Sequence, residues 1–374
     1  MAILQHNTLW GSPELWSSEE KKGVFRTANW IGGALIVSQL AAFLVANAYA
    51  FLLYFLGHLT STGASNHFID DEMSYVLFSI LMFVPFFVLC VSINHRRLSE
   101  VVPFEKHSKL LGFALVLMCL GFFLAGNIFS NLIYTALDWI GHPPYQPQSF
   151  QPNTLFELGA VLLSSACIPA LTEEFAFRGV VLGLLRPYGN RLAIGASAVL
   201  FALMHGNFVQ IPFALICGLA LGYATVRTNS LWPAIVAHFI NNAMSHVLDY
   251  VVRTMPQDYG DLVYLLYFLF LLLAGVVGLV LVKICNRSEF AADHTDQEKP
   301  LSPADQEAVM IGALEAGAPE ADFSLIQNRR RRVSIADPYR HAAPLAERVS
   351  MIVASPTLII FAVYCVYTAF EYIV

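Results

Sequence analysis

LVYLLYFLFLLLAGVVGLVLV, residues 262–282, contains no charged side chain, and its reading decides the fold. A helix of about 20 apolar residues, rising ~1.5 Å per residue, crosses the hydrocarbon core of a bilayer. Working outward from this stretch, further apolar runs recur at 28–57, 74–94, 110–137, 155–177, 191–205, 209–226, 231–250 and 351–373. Together they predict an all-α, polytopic integral membrane helix bundle of about eight or nine transmembrane helices. Composition agrees. The 374 residues are 57% hydrophobic and 13% charged, with mean hydropathy +0.60, against about 25% charged for a soluble domain. A soluble fold would leave much of that apolar surface in water.

The amino-terminal residues 1–23 carry Glu14, Glu19, Glu20, Lys21 and Lys22 without a short apolar core or a small-residue cleavage site. The first hydrophobic run is therefore expected to stay in the membrane. Loops with Lys or Arg (Arg96, Arg97, Lys106 and Lys109; Arg186 and Arg191; Arg227; Lys283 and Arg287) alternate with loops 58–73 and 138–154, which have neither. Counted over nine spans, this alternation places the amino terminus in the cytosol. Compact loops favour a bacterial plasma membrane; in a eukaryote the endoplasmic reticulum would take its place.

The expected division is a cytosolic segment 1–23, a transmembrane bundle 24–285, a flexible cytosolic linker 286–350 and a further transmembrane helix 351–374. The linker is rich in Ala, Pro, Glu, Asp and Gln and lacks helical periodicity, as a mostly disordered segment does. Within it, Arg329 to Arg332 precede Val333-Ser334. That reads as a solvated positive patch near anionic lipid, or as a site for a basophilic kinase. Six cysteines (Cys90, Cys119, Cys167, Cys217, Cys285 and Cys365) fall in or beside apolar runs without CxxC spacing and read as small buried hydrophobes. No nucleic-acid module is present; the expected surroundings are membrane lipid and a membrane-anchored protein or peptide.

Ionisable residues inside membrane spans are costly and mark functional sites. Three places stand out. In Pro169-Ala170-Leu171-Thr172-Glu173-Glu174-Phe175-Ala176-Phe177-Arg178, desolvation and mutual repulsion disfavour full ionisation of the adjacent acids, which suits one of them to take a proton from water. Glu174 and Arg178 share a helix face and can pair, leaving Glu173 to project about 100° away. Pro169 leaves a carbonyl one turn earlier without its donor, allowing a kink before the acids. Phe201 and His205 form the second place, on one face. His238 and Asn242 form the third, also at i, i+4, where imidazole and amide can donate hydrogen bonds to a developing oxyanion; His246 continues that stripe. Counted from Arg186, Arg191 and Arg227, all lie roughly 16–22 Å deep. A shared cavity near mid-membrane explains one common depth; scattered polar residues do not.

At these residues the sequence resembles the CAAX-protease and bacteriocin-processing superfamily of intramembrane peptidases, which includes the type II CAAX prenyl endopeptidases. The family pattern EExxxR, FxxxH, HxxxN is met in order by Glu173-Glu174…Arg178, Phe201…His205 and His238…Asn242, over roughly residues 155–250. The resemblance implies that Glu173 with His205 positions and deprotonates water, that His238 and Asn242 stabilise the oxyanion, and that Glu174 lies beside them, oriented by Arg178, with Phe201 in support. It implies an endopeptidase acting on a membrane-associated protein or peptide, with prenylated CAAX-type chains as one candidate class. No metal is favoured; were Zn²⁺ used, Glu173, His205 and His238 would be its ligands, although HExxH is absent.

Other readings stay open at this point. A non-catalytic membrane adaptor or bacteriocin self-immunity protein would keep the fold without the activity. A transporter would use the polar cavity for a cation or peptide. A rhomboid-like serine protease would use Ser197 in Gly195-Ala196-Ser197, but the second glycine is missing and both glutamates would go unexplained.

Overall fold

The structure, a computed structural model, describes residues 13–60, 76–77, 79–81, 84–88, 98–144, 150–297 and 343–371. Cys90, Arg329 to Arg332 and Ser334 lie outside the described residues, as does most of the expected linker, from 298 to 342. The main helices are α1 (Pro13–Thr60), α2 (Lys109–Trp139), α3 (Leu155–Tyr188), α4 (Asn190–Met204), α5 (Gln210–Thr228), α6 (Trp232–Thr254), α7 (Gly260–Gln297), α8 (Leu345–Val353) and α9 (Pro356–Glu371).

Local chemistry sets their ends. Ser108 caps α2 by accepting from the Leu111 amide, and Thr154 caps α3 by accepting from the Glu157 amide at 3.2 Å. Glu157 reaches back to the Asn153 amide at 2.7 Å. Asn229 ends α5 in the left-handed region, φ 48°. The long helix α3 is not uniform. Ile168–Glu174 is α-helical, but the stretches on either side, Leu162–Cys167 and Phe175–Val181, are wound as wide π turns. Pro169, at the start of the central piece, has no N–H to give back to the preceding turn.

The expected eight to nine spans are not borne out. Among the described residues five helices are long and apolar enough to cross a membrane: Glu20–Tyr49, Lys109–Trp139, Leu155–Tyr188, Gln210–Thr228 and Gly260–Asn286. The count reaches six if α8 and α9, bent by 66° at their junction, are one broken span. The physical reasons differ from run to run. The run at 191–205 folds as the 15-residue α4, about 22 Å long, and is stopped by Gly206 at φ +55°. The run at 231–250 becomes α6, which is long enough but carries His238, Asn241, Asn242, Ser245 and His246 along its length. Of the run at 74–94, only a short apolar helix, Ser79–Val88, is described. The nine-span count behind the loop-charge alternation falls with this correction; the all-α, polytopic membrane bundle stands.

Close helix contacts run through small residues, as in membrane bundles. Gly121 of α2 and Gly275 of α7 meet backbone to backbone, so that a Cβ on either would strike the other's Cα. Gly218 of α5 packs on Ala198 of α4, where an added Cβ would stand 2.9 Å from the Ala198 Cα. On α7, Leu269, Leu273, Val276 and Val280 face outward, as a lipid-facing stripe does.

Buried apolar residues form two clusters. One joins Phe86, Phe177, Phe201, Leu182 and Phe361; the other joins Leu115, Phe123, Cys217, Ala234 and Leu271. At one end of the bundle the Glu105 amide donates to the Asn229 carbonyl at 3.0 Å, the Leu231 amide donates to the Pro103 carbonyl at 3.0 Å, and Arg186 donates to the Asn229 side chain. Arg227 donates to Asn286 at 2.7 Å. The ends of α3, α5 and α7 are thereby tied together, which fixes how deep the polar residues of α3 and α6 sit.

Candidate active site

Glu174 and Arg178 are fully buried, and an Arg178 Nη1–H donates to Glu174 Oε1 at 2.9 Å. The same oxygen is 2.8 Å from His238 Nδ1. A carboxylate held by a guanidinium can only accept here, so Nδ1 carries the hydrogen and Nε2 of His238 is left for the site. That Nε2 lies 3.8 Å from Glu173 Oε2. Glu174 thus holds one edge of the imidazole and Glu173 faces the other, although the two acids leave α3 in different directions.

His205 is placed differently. It follows the last residue of α4, and its Nδ1 is 2.8 Å from the Phe201 carbonyl oxygen. A carbonyl has no hydrogen to give, so Nδ1–H is the donor and a neutral His205 keeps its lone pair on Nε2. The Phe201 ring organises both histidines and the arginine. The Arg178 guanidinium carbon stands 4.2 Å from the ring centroid, and His205 and His238 meet the ring edge to face at 4.9 and 6.0 Å. Phe177 presses on Phe201 from behind, centroids 5.2 Å apart.

Glu173, Phe201, His205, His238 and Asn242 all line one cavity of about 320 Å³ at the seam of the two apolar clusters. Phe123, Phe213, Cys217 and Leu221 give it an apolar wall. Glu174 and Arg178 do not line it; they stand behind His238. Ser197 is absent from the cavity as well. It is buried with its hydroxyl donating to the Phe177 carbonyl at 2.8 Å, which is a structural bond of the wide turn in α3.

Four polar wall residues were not anticipated from the sequence: Ser79, Ser165, Gln210 and Asn241. Asn241 Nδ2 donates to Asn242 Oδ1 at 3.1 Å, which occupies the Asn242 oxygen and leaves its N–H groups as the free donors. The adjacency of two asparagines was the signal for this pair. Nothing in the sequence marks Gln210 or the serines. Among the described residues no three His, Cys, Asp or Glu side chains are grouped so as to hold a metal ion, so Glu173, His205 and His238 do not form a ligand set.

A membrane helix bundle that buries an acid–imidazole pair beside a cavity has the architecture of an intramembrane hydrolase. Residues 154–244, the stretch holding Glu173, Glu174, Arg178, Phe201, His205, His238 and Asn242, match the family described as Type II CAAX prenyl endopeptidase Rce1-like. Over 187 residues, 48% of this chain and 75% of the relative, the chain is 22% identical to "Putative membrane peptidase YdiL" of Bacillus subtilis. Over 146 residues, 36% of this chain and 53% of the relative, it is 30% identical to "Membrane-embedded CAAX protease MroQ" of Staphylococcus aureus. No solved structure matches. Over residues 154–244 the chain is similar to the CAAX-protease family of intramembrane peptidases.

Proposed function

We propose that the protein is an intramembrane endopeptidase that hydrolyses a peptide bond of a membrane-associated protein or peptide, with prenylated CAAX-type chains as its candidate substrates. The observation that carries this reading is the meeting of Glu173, His205, His238 and Asn242 around one cavity inside the bundle. In the proposed reaction His205 Nε2 accepts a hydrogen bond from water and Glu173 takes the water's proton as its oxygen attacks the carbonyl carbon. The carbonyl oxygen, now negative, receives hydrogen bonds from Asn242 Nδ2 and from the His238 imidazole. The C–N bond then breaks, and Glu173 returns the proton to the departing amine. Glu174 and Arg178 hold His238 in place and do not touch substrate. The apolar wall formed by Phe123, Phe213 and Leu221 supports an apolar group on the substrate. The Arg186, Arg191 and Arg227 end of the bundle is assigned to the cytosolic side, with the amino terminus, in a plasma membrane of bacterial type.

The test is detergent-solubilised protein incubated with a panel of membrane-anchored and prenylated peptides, wild type beside Glu173→Gln, with and without a chelator. The expected result is cleavage by the wild type alone, unchanged by the chelator. Cleavage by both proteins would remove Glu173 as the base, and no cleavage of any peptide by the wild type would leave the adaptor reading in its place.

A further inference from the structure

Helix α9 passes the site from outside the stretch matched by the family. His205 opens the turn 205–209 that joins α4 to α5, and α9 lies against that turn at two points. A Cβ on Gly206 would stand 2.8 Å from Thr368 Oγ1, so the hydroxyl rests on the backbone directly after His205. Phe208 and Phe370 meet edge to face, with centroids 5.0 Å apart and planes at 76°. Further along the same helix, Leu358, Phe361 and Cys365 are buried in the cluster that holds Phe177 and Phe201. Phe201 supplies the carbonyl that receives His205 Nδ1–H. The turn that carries the imidazole therefore leans on α9, and Phe201, its hydrogen-bond acceptor, belongs to the buried cluster that α9 helps to fill.

The other end of the pair is anchored too. Arg348 of α8 is buried and donates to the carbonyl of Tyr188, the last residue of α3. Lys21 pairs with Glu347 at 2.8 Å, and Asn29 accepts from Ser355 at 3.0 Å and, through its carbonyl, from Thr357 at 2.9 Å. A Cβ on Gly32 would collide with the Thr357 hydroxyl and with the backbone of Thr357 and Leu358, so α1 and α9 pack closely at this glycine. A helix held this closely by α1 and by the end of α3 is a fixed reference for the turn.

We infer that α8 and α9 form a strap that aims His205, with Thr368 and Phe370 as positioning residues acting through Gly206 and Phe208. Neither lines the cavity. The inference rests on the hydrolytic reading above only for its effect on turnover. His205 stands beyond the end of a 15-residue helix, held by one side-chain hydrogen bond, so its direction depends on the turn that follows. A displacement of about 1 Å at a reacting group costs roughly a hundredfold in rate.

The test uses the full chain in detergent and two readouts. One is the rate at which diethyl pyrocarbonate modifies His205 and His238, resolved by mass spectrometry. The other is kcat and KM on whichever panel peptide the wild type cleaves. Phe370→Ala is expected to speed His205 modification several-fold, leave His238 unchanged, and lower kcat about ten- to a hundredfold at constant KM. Phe370→Tyr should restore both values. Adding Phe208→Ala to Phe370→Ala should produce no further loss, because the pair acts as one contact. Val363→Ala, on the outer face of α9, should change nothing. Phe370→Leu replaces Phe370→Ala if the latter does not accumulate. Unchanged His205 modification in Phe370→Ala or Phe370→Leu would overturn the strap, as would independent, multiplying losses in the double variant. A wild type that cleaves no peptide would defeat the hydrolytic reading while the modification rates still decide the strap.

Discussion

Glu173 and Glu174 are neighbours in sequence and opposites in environment: Glu173 lines the cavity, while Glu174 is fully buried against Arg178, and His238 lies between them at 3.8 and 2.8 Å. Chain geometry produces this split. Adjacent helical residues point about 100° apart, so one acid can be reserved for chemistry and the other for architecture.

The split predicts two different failures. Glu173→Gln should fold normally, with an unchanged melting temperature in detergent, and lose about 10²–10⁴ in kcat. Melting followed by tryptophan fluorescence, beside peptide cleavage, checks both halves. A melting temperature that fell as far as the activity would place Glu173 in the architecture.

Arg178→Met should unfold the protein more readily, because it strands the buried Glu174 carboxylate. Removing one partner of a buried ion pair costs about 3–5 kcal/mol. Thermal unfolding is the measurement. A stability equal to wild type would mean that the pair is not shielded from water.

Asn242→Ala removes the amide that Asn241 holds in place. The expected loss is about 10²–10³ in kcat with KM little changed, as for one oxyanion donor. Asn242→Asp, which offers no N–H, should be as slow. A variant that bound its peptide poorly but turned it over at the normal rate would move Asn242 from oxyanion stabilisation to substrate holding.

Ser197→Ala should retain turnover and lose about 1 kcal/mol of stability, the value of one buried hydrogen bond, because its hydroxyl serves the Phe177 carbonyl. Abolished cleavage would bring back the serine-protease reading.

Gly275→Val tests the packing of α2 on α7. Its side chain must push Gly121 away, which costs about 1–3 kcal/mol in a well-packed interface. Lower thermal stability, with the residual activity per folded molecule preserved, is the expected pattern.

The helical membrane class was legible because residues 262–282 and 110–137 admit no other home for their side chains. The candidate site was legible for a local reason: Glu174 and Arg178, Phe201 and His205, and His238 and Asn242 are i, i+4 pairs, whose shared faces follow from helix geometry alone. The span count was not. Hydropathy cannot see that Gly206 turns left-handed and stops α4, and a count of apolar runs passes over the polar residues that interrupt α6. The alternation of Lys and Arg between loops fitted nine spans only because every apolar run had been counted as a crossing. Gln210, Ser79 and Ser165 were equally hidden, since facing a cavity is a property of the neighbours and not of the residue. The docking of α9 beside His205 left no mark, because aromatic and small residues at helical spacing are common to every membrane helix.

The wide turns flanking Ile168–Glu174 give α3 spare length. Each holds one residue more than an α-helical turn needs, so the helix can be shortened at 162–167 or at 175–181 without parting from its cap at Thr154 or its tether at Arg186. A one-residue deletion at the first place rotates the acids together relative to Thr154. A deletion within 175–177 draws Arg178 from the fourth to the third residue after Glu174, a spacing at which the two side chains still face each other. The same small loss of chain is a change of aim in one place and a tightening of the ion pair in the other.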